Sequence, residues 1–344
     1  MDIKKGKVIK KIIVVGLSIA LLIGLVACGS KDTGSSKKKN AADTLNIAFQ
    51  PVPGYIPLKL LSENGWLDEA LKKAGYDIDV NWTEFESGPP ENESFAAGQQ
   101  DIGVMGNVPS IAGKASGQDR TYIGISTNGE QTEGIVVKED SGINTVADLK
   151  GKKVGLVVGS IVQDLLDRLL KKEGLTSADI KVVNLATSEQ IEALATGQVD
   201  AIATWAPTLT KSVNTEGNKL LADGTGIFLA ENTIFGRTEY INANPEIVQI
   251  FIRQYARAAQ EVKSDIDGYA EKYKDYYGLD KDILVSALEG ANFPIAITDE
   301  DVADLQITAD FLYDNKFVKT HVTVKDAVDF QFIEDEEVKS YLTY

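Results

Sequence analysis

One stretch of this chain is written twice. Residues 96–109 read Ala-Ala-Gly-Gln-Gln-Asp-Ile-Gly-Val-Met-Gly-Asn-Val-Pro, and residues 195–207 read Ala-Thr-Gly-Gln-Val-Asp-Ala-Ile-Ala-Thr-Trp-Ala-Pro. Each copy closes a helical pattern at Gly98 or Gly197, where glycine supplies the left-handed residue that ends a helix. Gln-x-Asp then leads into a short apolar strand, Ile102–Met105 or Ala201–Thr204. A small loop carries the chain to Pro109 or Pro207, each suited to the first position of another helix. Read as chance, Gly-Gln-x-Asp is ordinary turn chemistry. Read as a repeat, it predicts two similar α/β halves, and 344 residues suffice for about two domains.

The surroundings fit two halves of this kind. Leu45–Phe49 and Ile78–Trp82 read as strands, with a helix opening between them at Ile56 and Pro57 in its first turn. Two more strand-to-helix joints follow. Glu84-Phe85-Glu86-Ser87-Gly88-Pro89-Pro90 is one; Lys153–Ser160, running on into Ile161–Leu166, is the other. A helix that begins at a strand's carboxyl end aims free N–H groups and partial positive charge into the crevice there. Open α/β sheets bind ligands in such crevices. Ser160 reads equally as a helix cap. Several converging joints would hold an anion without an arginine cage. The last third is helical: Pro245–Val262 has apolar residues at Ile247, Ile250, Phe251, Tyr255, Ala258 and Val262. Lys281–Glu289, read as a surface helix, and Asp299–Tyr313 come after it.

Composition narrows the chemistry. Asp and Glu number 51 against 35 Lys and Arg, giving a formal charge of −16. Five lysines (Lys4, Lys5, Lys7, Lys10, Lys11) sit before residue 28, so the rest is more acidic still. Such a field repels phosphate backbones, and no nucleic-acid partner is expected. Cys28 and His321 are the only residues of their types, so the chain has neither an intrachain disulfide nor a Cys/His zinc cluster. Any nucleophile–histidine pair would have to use His321, which reads as a surface histidine; catalysis by paired carboxylates stays open. There is no phosphate loop and no G-x-G-x-x-G fingerprint, and Asp265-Ile266-Asp267-Gly268 has Lys263 and Lys274 where a calcium loop needs oxygen ligands. No cofactor and no metal are expected.

The first residues read as an address. A basic start, an uncharged stretch Ile12–Ala27 and small residues before Cys28 describe a signal peptide over 1–27. By hydropathy alone the stretch also fits an uncleaved signal anchor. Leu25-Val26-Ala27-Cys28 resembles a bacterial lipobox, whose cysteine is diacylated and becomes the mature N-terminus. Residues 28–43, rich in Gly, Ser and Lys, then read as a lipid-anchored flexible linker.

Leu-Val-Ala-Cys, Ser87-Gly88-Pro89-Pro90 within Glu84–Pro90, the segment Ala97–Pro109 and Val146-Ala147-Asp148-Leu149-Lys150-Gly151-Lys152-Lys153-Val154 occur in that order. Together they resemble the substrate-binding lipoproteins of ABC importers, in the nitrate/sulfonate/taurine family and nearest to aliphatic sulfonate binding, over about residues 44–265. The resemblance implies a two-lobed, periplasmic-binding-protein-like (type II) α/β fold joined by two crossing segments. Lobe one takes 44–132 and, on its return, 236–344; lobe two takes 133–235. The chain would leave lobe one near Gln131–Val136 and come back through Thr233–Tyr240.

It also implies a pocket built from Gln50, Tyr55, Ser87, Gly88, Gly106, Asn107, Gly159 and Ser160. Gln163 would substitute for a polar group that relatives often carry where this chain has Ile161 and Val162. Trp205 would cover an apolar tail or pack in the core, and Arg237 is the one arginine on a proposed crossing segment. Glu84, Glu86, Glu130 and Glu133 lie near the mouth, as solvated charges or as receivers of a ligand ammonium. The implied role is capture of a small anion or zwitterion, an aliphatic sulfonate or taurine-like compound. The implied partners are a membrane permease and its cytoplasmic ATPase, on the outer face of a bacterial membrane. Nitrate, a pyrimidine or thiamine precursor, or a carboxylate are alternative cargoes. A thiamine-pyrimidine-synthase-like enzyme on the same fold is the rival of a different class; it needs an active-site histidine and a cofactor-bearing lysine.

Overall fold

The computed structural model describes residues 43–342. The signal segment, Cys28 and nearly all of the linker lie outside the described residues. Among those described, no helix is long and apolar enough to cross a membrane. The strands are β1 (Thr44–Phe49), β2 (Asp79–Glu84), β3 (Ile102–Gly106), β4 (Arg120–Thr127), β5 (Glu133–Lys138), β6 (Lys153–Leu156), β7 (Lys181–Asn184), β8 (Ala201–Trp205), β9 (Asn218–Asp223) and β10 (Asn232–Arg237).

They form two sheets of one design. Sheet one runs β2-β1-β3-β10-β4 and sheet two β7-β6-β8-β5-β9. In each, three parallel strands are followed by one antiparallel strand that has just arrived from the other lobe, β10 in sheet one and β5 in sheet two. The repeated aspartates show why the motif occurs twice. Asp101 Oδ2 accepts the Asn46 N–H at 2.9 Å while its own N–H donates to the Asn46 carbonyl at 2.8 Å. Asp200 treats Lys153 the same way, at 2.8 and 2.9 Å. Each carboxylate closes the amino-terminal edge of a parallel pair, where an N–H would otherwise lack a partner. Gly98 and Gly197 end the preceding helices at φ 71° and 75°.

Both faces of each sheet are covered, which is why the strands read as nearly continuous apolar runs. In sheet one, Leu45, Ile47 and Phe49 point to a layer that includes the long helix Pro245–Ser264, whereas Ala48, Met105, Tyr122 and Phe235 point to the helices Asn107–Ala115 and Asp299–Asp314. In sheet two, the helix Ile161–Lys172 buries Leu165, Leu166, Leu169 and Leu170 on one face, and Thr187–Thr196 packs Ala193 and Leu194 on the other.

Some local expectations need revision. The helix expected to start at Pro109 begins two residues earlier, at Asn107, and Pro207 precedes its helix, Thr208–Val213, rather than opening it. Asp265, from the rejected calcium-like run, caps the helix Ile266–Tyr277 by accepting the Gly268 N–H at 3.0 Å. The first crossing runs through residues 128–132. The return crossing ends before Asn232, because all of β10 already belongs to sheet one; the expected boundary at 235/236 cut through that strand.

Phe235 of β10 packs on Phe95, ring centroids 4.9 Å apart, with the buried Arg120 guanidinium 4.5 Å from its ring. Phe235→Ala is expected to cost about 3–5 kcal/mol of unfolding free energy, read from urea denaturation with an unchanged m-value.

Candidate functional site

A cavity of about 170 Å³ lies where the carboxyl ends of the parallel strands from both sheets meet. From lobe one it is walled by Gln50 after β1, Tyr55, Gly88, Gly106 at the end of β3 and Thr127 at the end of β4. From lobe two come Ser160 and Ile161 after β6, Glu133 at the head of β5, and Trp205 at the end of β8. Asn232 enters at the start of β10, and Ser286, Ala287, Gly290 and Ala291 close one side.

Of the eleven residues implied for the pocket, six share this cavity, Gln50, Tyr55, Gly88, Gly106, Ser160 and Trp205, and Glu133, expected near the mouth, lines it as well. Trp205 both packs in the lobe-two core and forms part of the wall. The other five lie elsewhere. Ser87 is buried and borders a separate groove with Pro89, Val157 and Asn184. Gly159 donates its N–H to Gln163 Oε1 at 2.8 Å, so each satisfies the other within one turn. Arg237 is the last residue of β10 whereas Asn232, its first, lines the cavity; at ~3.4 Å per residue they are about 17 Å apart. The Arg237 guanidinium instead pairs with Asp101 at the opposite end of the sheet.

Asn107 is occupied in holding the lobes together. Its Oδ1 accepts the Val108 N–H at 2.7 Å, and its Nδ2 donates to Thr308 Oγ1 at 2.9 Å and to Asp164 Oδ2 at 3.1 Å. Asp164 belongs to lobe two; Asn107 and Thr308 belong to lobe one. Thr308 donates to the same Asp164 oxygen at 2.6 Å, and Arg168 ties Asp164 to Asp304 at 2.9 and 2.8 Å. At the far edge Thr187 and Ser188 donate to Glu86 at 3.2 and 3.0 Å. Glycine at 106 lets the lobes meet: a Cβ there would stand 2.7 Å from the Ile161 Cβ across the gap.

The backbone amides available at the helix starts are fewer than the motif count suggests. In Gly88–Ala96 the second and third residues, Pro89 and Pro90, have no N–H, which leaves that of Gly88. In Asn107–Ala115 the Asn107 N–H goes to the Glu231 carbonyl at 3.0 Å, that of Val108 to the Asn107 side chain, and Pro109 has none. In Ile161–Lys172 the N–H groups of Ile161 and Val162 find no partner among the described residues. Thr127 Oγ1, buried on the wall, likewise has no partner among them. No lining residue is Lys, Arg or His.

Acid groups lie on the wall and just behind it. Gln50 donates to the fully buried Glu91 at 2.8 Å. Burial pushes Glu91 up to about 8, against the opposing effects of the Gln50 bond and the Arg120 charge. Glu133 is raised to about 8 by burial, and only the Thr132 hydroxyl opposes the shift. Tyr55 donates to Asn232 Oδ1 at 2.6 Å, and burial raises it well above the usual phenol range.

Sequence reasoning missed Thr127, Asn232 and the wall from Lys281–Glu289. Thr127 and Asn232 sit in no motif. In sequence Lys281–Glu289 reads as a surface helix, yet it buries Leu284 and Leu288 while Ser286 and Ala287 line the cavity.

Gly106→Val with the lobes shut would overpack the contact by about 1–3 kcal/mol. Separation of the lobes relieves this. The expected signature is weaker ligand binding and a larger radius of gyration by small-angle scattering, with an unchanged circular dichroism spectrum. A raised Glu91 pKa stabilises the fold fully below the unfolded value of 4.5, and that contribution is lost as pH rises toward 8. The melting temperature of Glu91→Gln should therefore gain on the wild type between pH 5 and pH 8.

Comparisons with known proteins follow the same lines. A family model described as NMT1/THI5 like matches residues 63–266. A Bacillus subtilis (strain 168) protein named for the binding of aliphatic sulfonates is 34% identical over 319 residues, covering 92% of this chain and 94% of the relative. The alkanesulfonate-binding protein SsuA from Xanthomonas axonopodis pv. citri, solved bound to MOPS, superposes with a TM-score of 0.76 at 28% identity, covering 84% of this chain and 99% of that one. The desulfurization enzyme DSZB, at 18% identity and a TM-score of 0.64 over 88% of this chain and 99% of its own, shares the fold alone. With more than half its length under the family model and a near full-length relative at that identity, the chain belongs to the NMT1/THI5-like family.

Proposed function

We propose that this protein is the extracytoplasmic receptor of an ABC importer, which closes two lobes over a small organic sulfonate and delivers it to a membrane permease. Leu-Val-Ala-Cys28 and the Gly/Ser/Lys-rich linker would tether the receptor to the outer face of the membrane by lipid.

One observation carries the reading: both lobes wall a single cavity in which Gly88 from one and Ile161 from the other present unspent amides. Helix starts at that position favour a negative group without a counter-cation. A sulfonate, with three equivalent oxygens and a charge that persists at every physiological pH, suits donors approaching from two sides. Engagement of both lobes at once links binding to closure, since a ligand shifts a two-state equilibrium only through contacts it makes better in one state. The related sulfonates-binding proteins support the same cargo.

The enzyme reading has less support. The lining holds no Cys, His or Lys. His321 is exposed, 2.8 Å from Asp310 and edge-on to Tyr313, on the outer side of the helix Asp299–Asp314.

A thermal-shift series on the purified protein tests the proposal. Aliphatic sulfonates, amino-substituted ones included, should stabilise it by ~2.7 kcal/mol at a hundred times Kd. Stabilisation by nitrate or by carboxylates, with none from any sulfonate, would overturn the cargo.

A further inference from the structure

Glu133 stands out on the wall because no Lys, Arg or His among the described residues pairs with it. It is the first residue of β5 and lies directly opposite Trp205 in the antiparallel register, so the two side chains share one face. Both line the cavity beside Tyr55. Glu133 is 4% exposed. Thr132 serves Oε2, while Oε1 takes no hydrogen bond from the described residues. A buried carboxylate without a counter-charge is costly, and such groups are ordinarily paired.

Four other side chains of the wall are biased the same way. Gln50 spends its amide protons on Glu91, at 2.8 Å, and on the Val104 carbonyl. Tyr55 spends its hydroxyl proton on Asn232, and Ser160 its own on the Val157 carbonyl at 2.6 Å. Asn232 Nδ2 goes to the Ala230 carbonyl at 3.0 Å. What these side chains offer a ligand is lone pairs. Donors remain at the backbone amides of Gly88 and Ile161 and at the side chains of Thr127, Gln131, Trp205, Thr210 and Ser286, which donate to nothing among the described residues. The cavity thus asks for a negative group at the helix starts and a proton-rich group at β5, and the indole of Trp205 is a favourable neighbour for a cation.

Resting on the sulfonate reading above, we infer that the cargo is zwitterionic, with an ammonium group received by Glu133, and that Glu133 sets the preference for amino-sulfonates over plain alkanesulfonates. The rise of Glu133 to about 8 through burial accords with this, since a bound ammonium supplies the missing counter-charge.

The test is calorimetry with 2-aminoethanesulfonate and 1-propanesulfonate, which match in length and differ by NH₃⁺ in place of CH₃. The wild type should bind the amino compound more tightly by about tenfold or more. Glu133→Gln keeps the shape and the Thr132 contact, and should abolish that preference chiefly by weakening the amino compound. Equal or tighter binding of propanesulfonate by the wild type overturns the inference and leaves the sulfonate reading standing; so does a Glu133→Gln protein that retains the preference. Binding of neither compound defeats the sulfonate reading and this inference with it. Should the variant fail to fold, the wild-type comparison alone decides.

Discussion

The contact between Gly106 and Ile161 governs the rest of the molecule. Each residue stands where a strand passes into a helix, one in each lobe, and their approach leaves no room for a side chain on the lobe-one member. Around this point Asp164 of lobe two accepts from both Asn107 and Thr308 of lobe one, and Arg168 bridges Asp164 to Asp304. Because these groups are buried or nearly so, the bonds are specific in geometry, and breaking one of them strands its partner away from water. The cavity exists because the two sheets are held at this spacing, with their carboxyl ends directed into one gap.

Within that gap the electrostatics come from the main chain. Prolines at 89, 90 and 109 remove N–H groups, and internal bonds consume those of Asn107 and Val108, so the free donors narrow to a few fixed positions. A chain with a formal charge of −16 would thus attract an anion only at short range, through dipoles that the folded backbone orients in advance. The arginines serve elsewhere. Arg120 lies between Phe95 and Phe235, Arg168 fastens the lobes, and Arg237 pairs with Asp101 at the far edge of the sheet.

Much of this architecture was legible from local chemistry. The repeat announced two equivalent sheets because Gln-x-Asp has a mechanical task at each strand edge, and the helix Lys281–Glu289 matched its expected bounds. The site was harder to read. Asn107 and Ser87 sit at the joints the motifs marked, yet whether a side chain at such a joint turns toward the ligand or the facing lobe depends on the other lobe's position. Arg237 is on the expected strand, but five residues along a strand outweigh any resemblance of sequence. Thr127 and Asn232 escaped notice because nothing local distinguishes a threonine at a strand end from any other.

A grip made of peptide N–H groups cannot be deleted by changing a side chain, and it persists for as long as the turns keep their course. Descendants of such a chain could therefore vary the wall side chains, though not the glycines at 88 and 106, without giving up those amides. Diversification within this family should run ahead in the groups that meet the cargo's tail, with the scaffold lagging far behind.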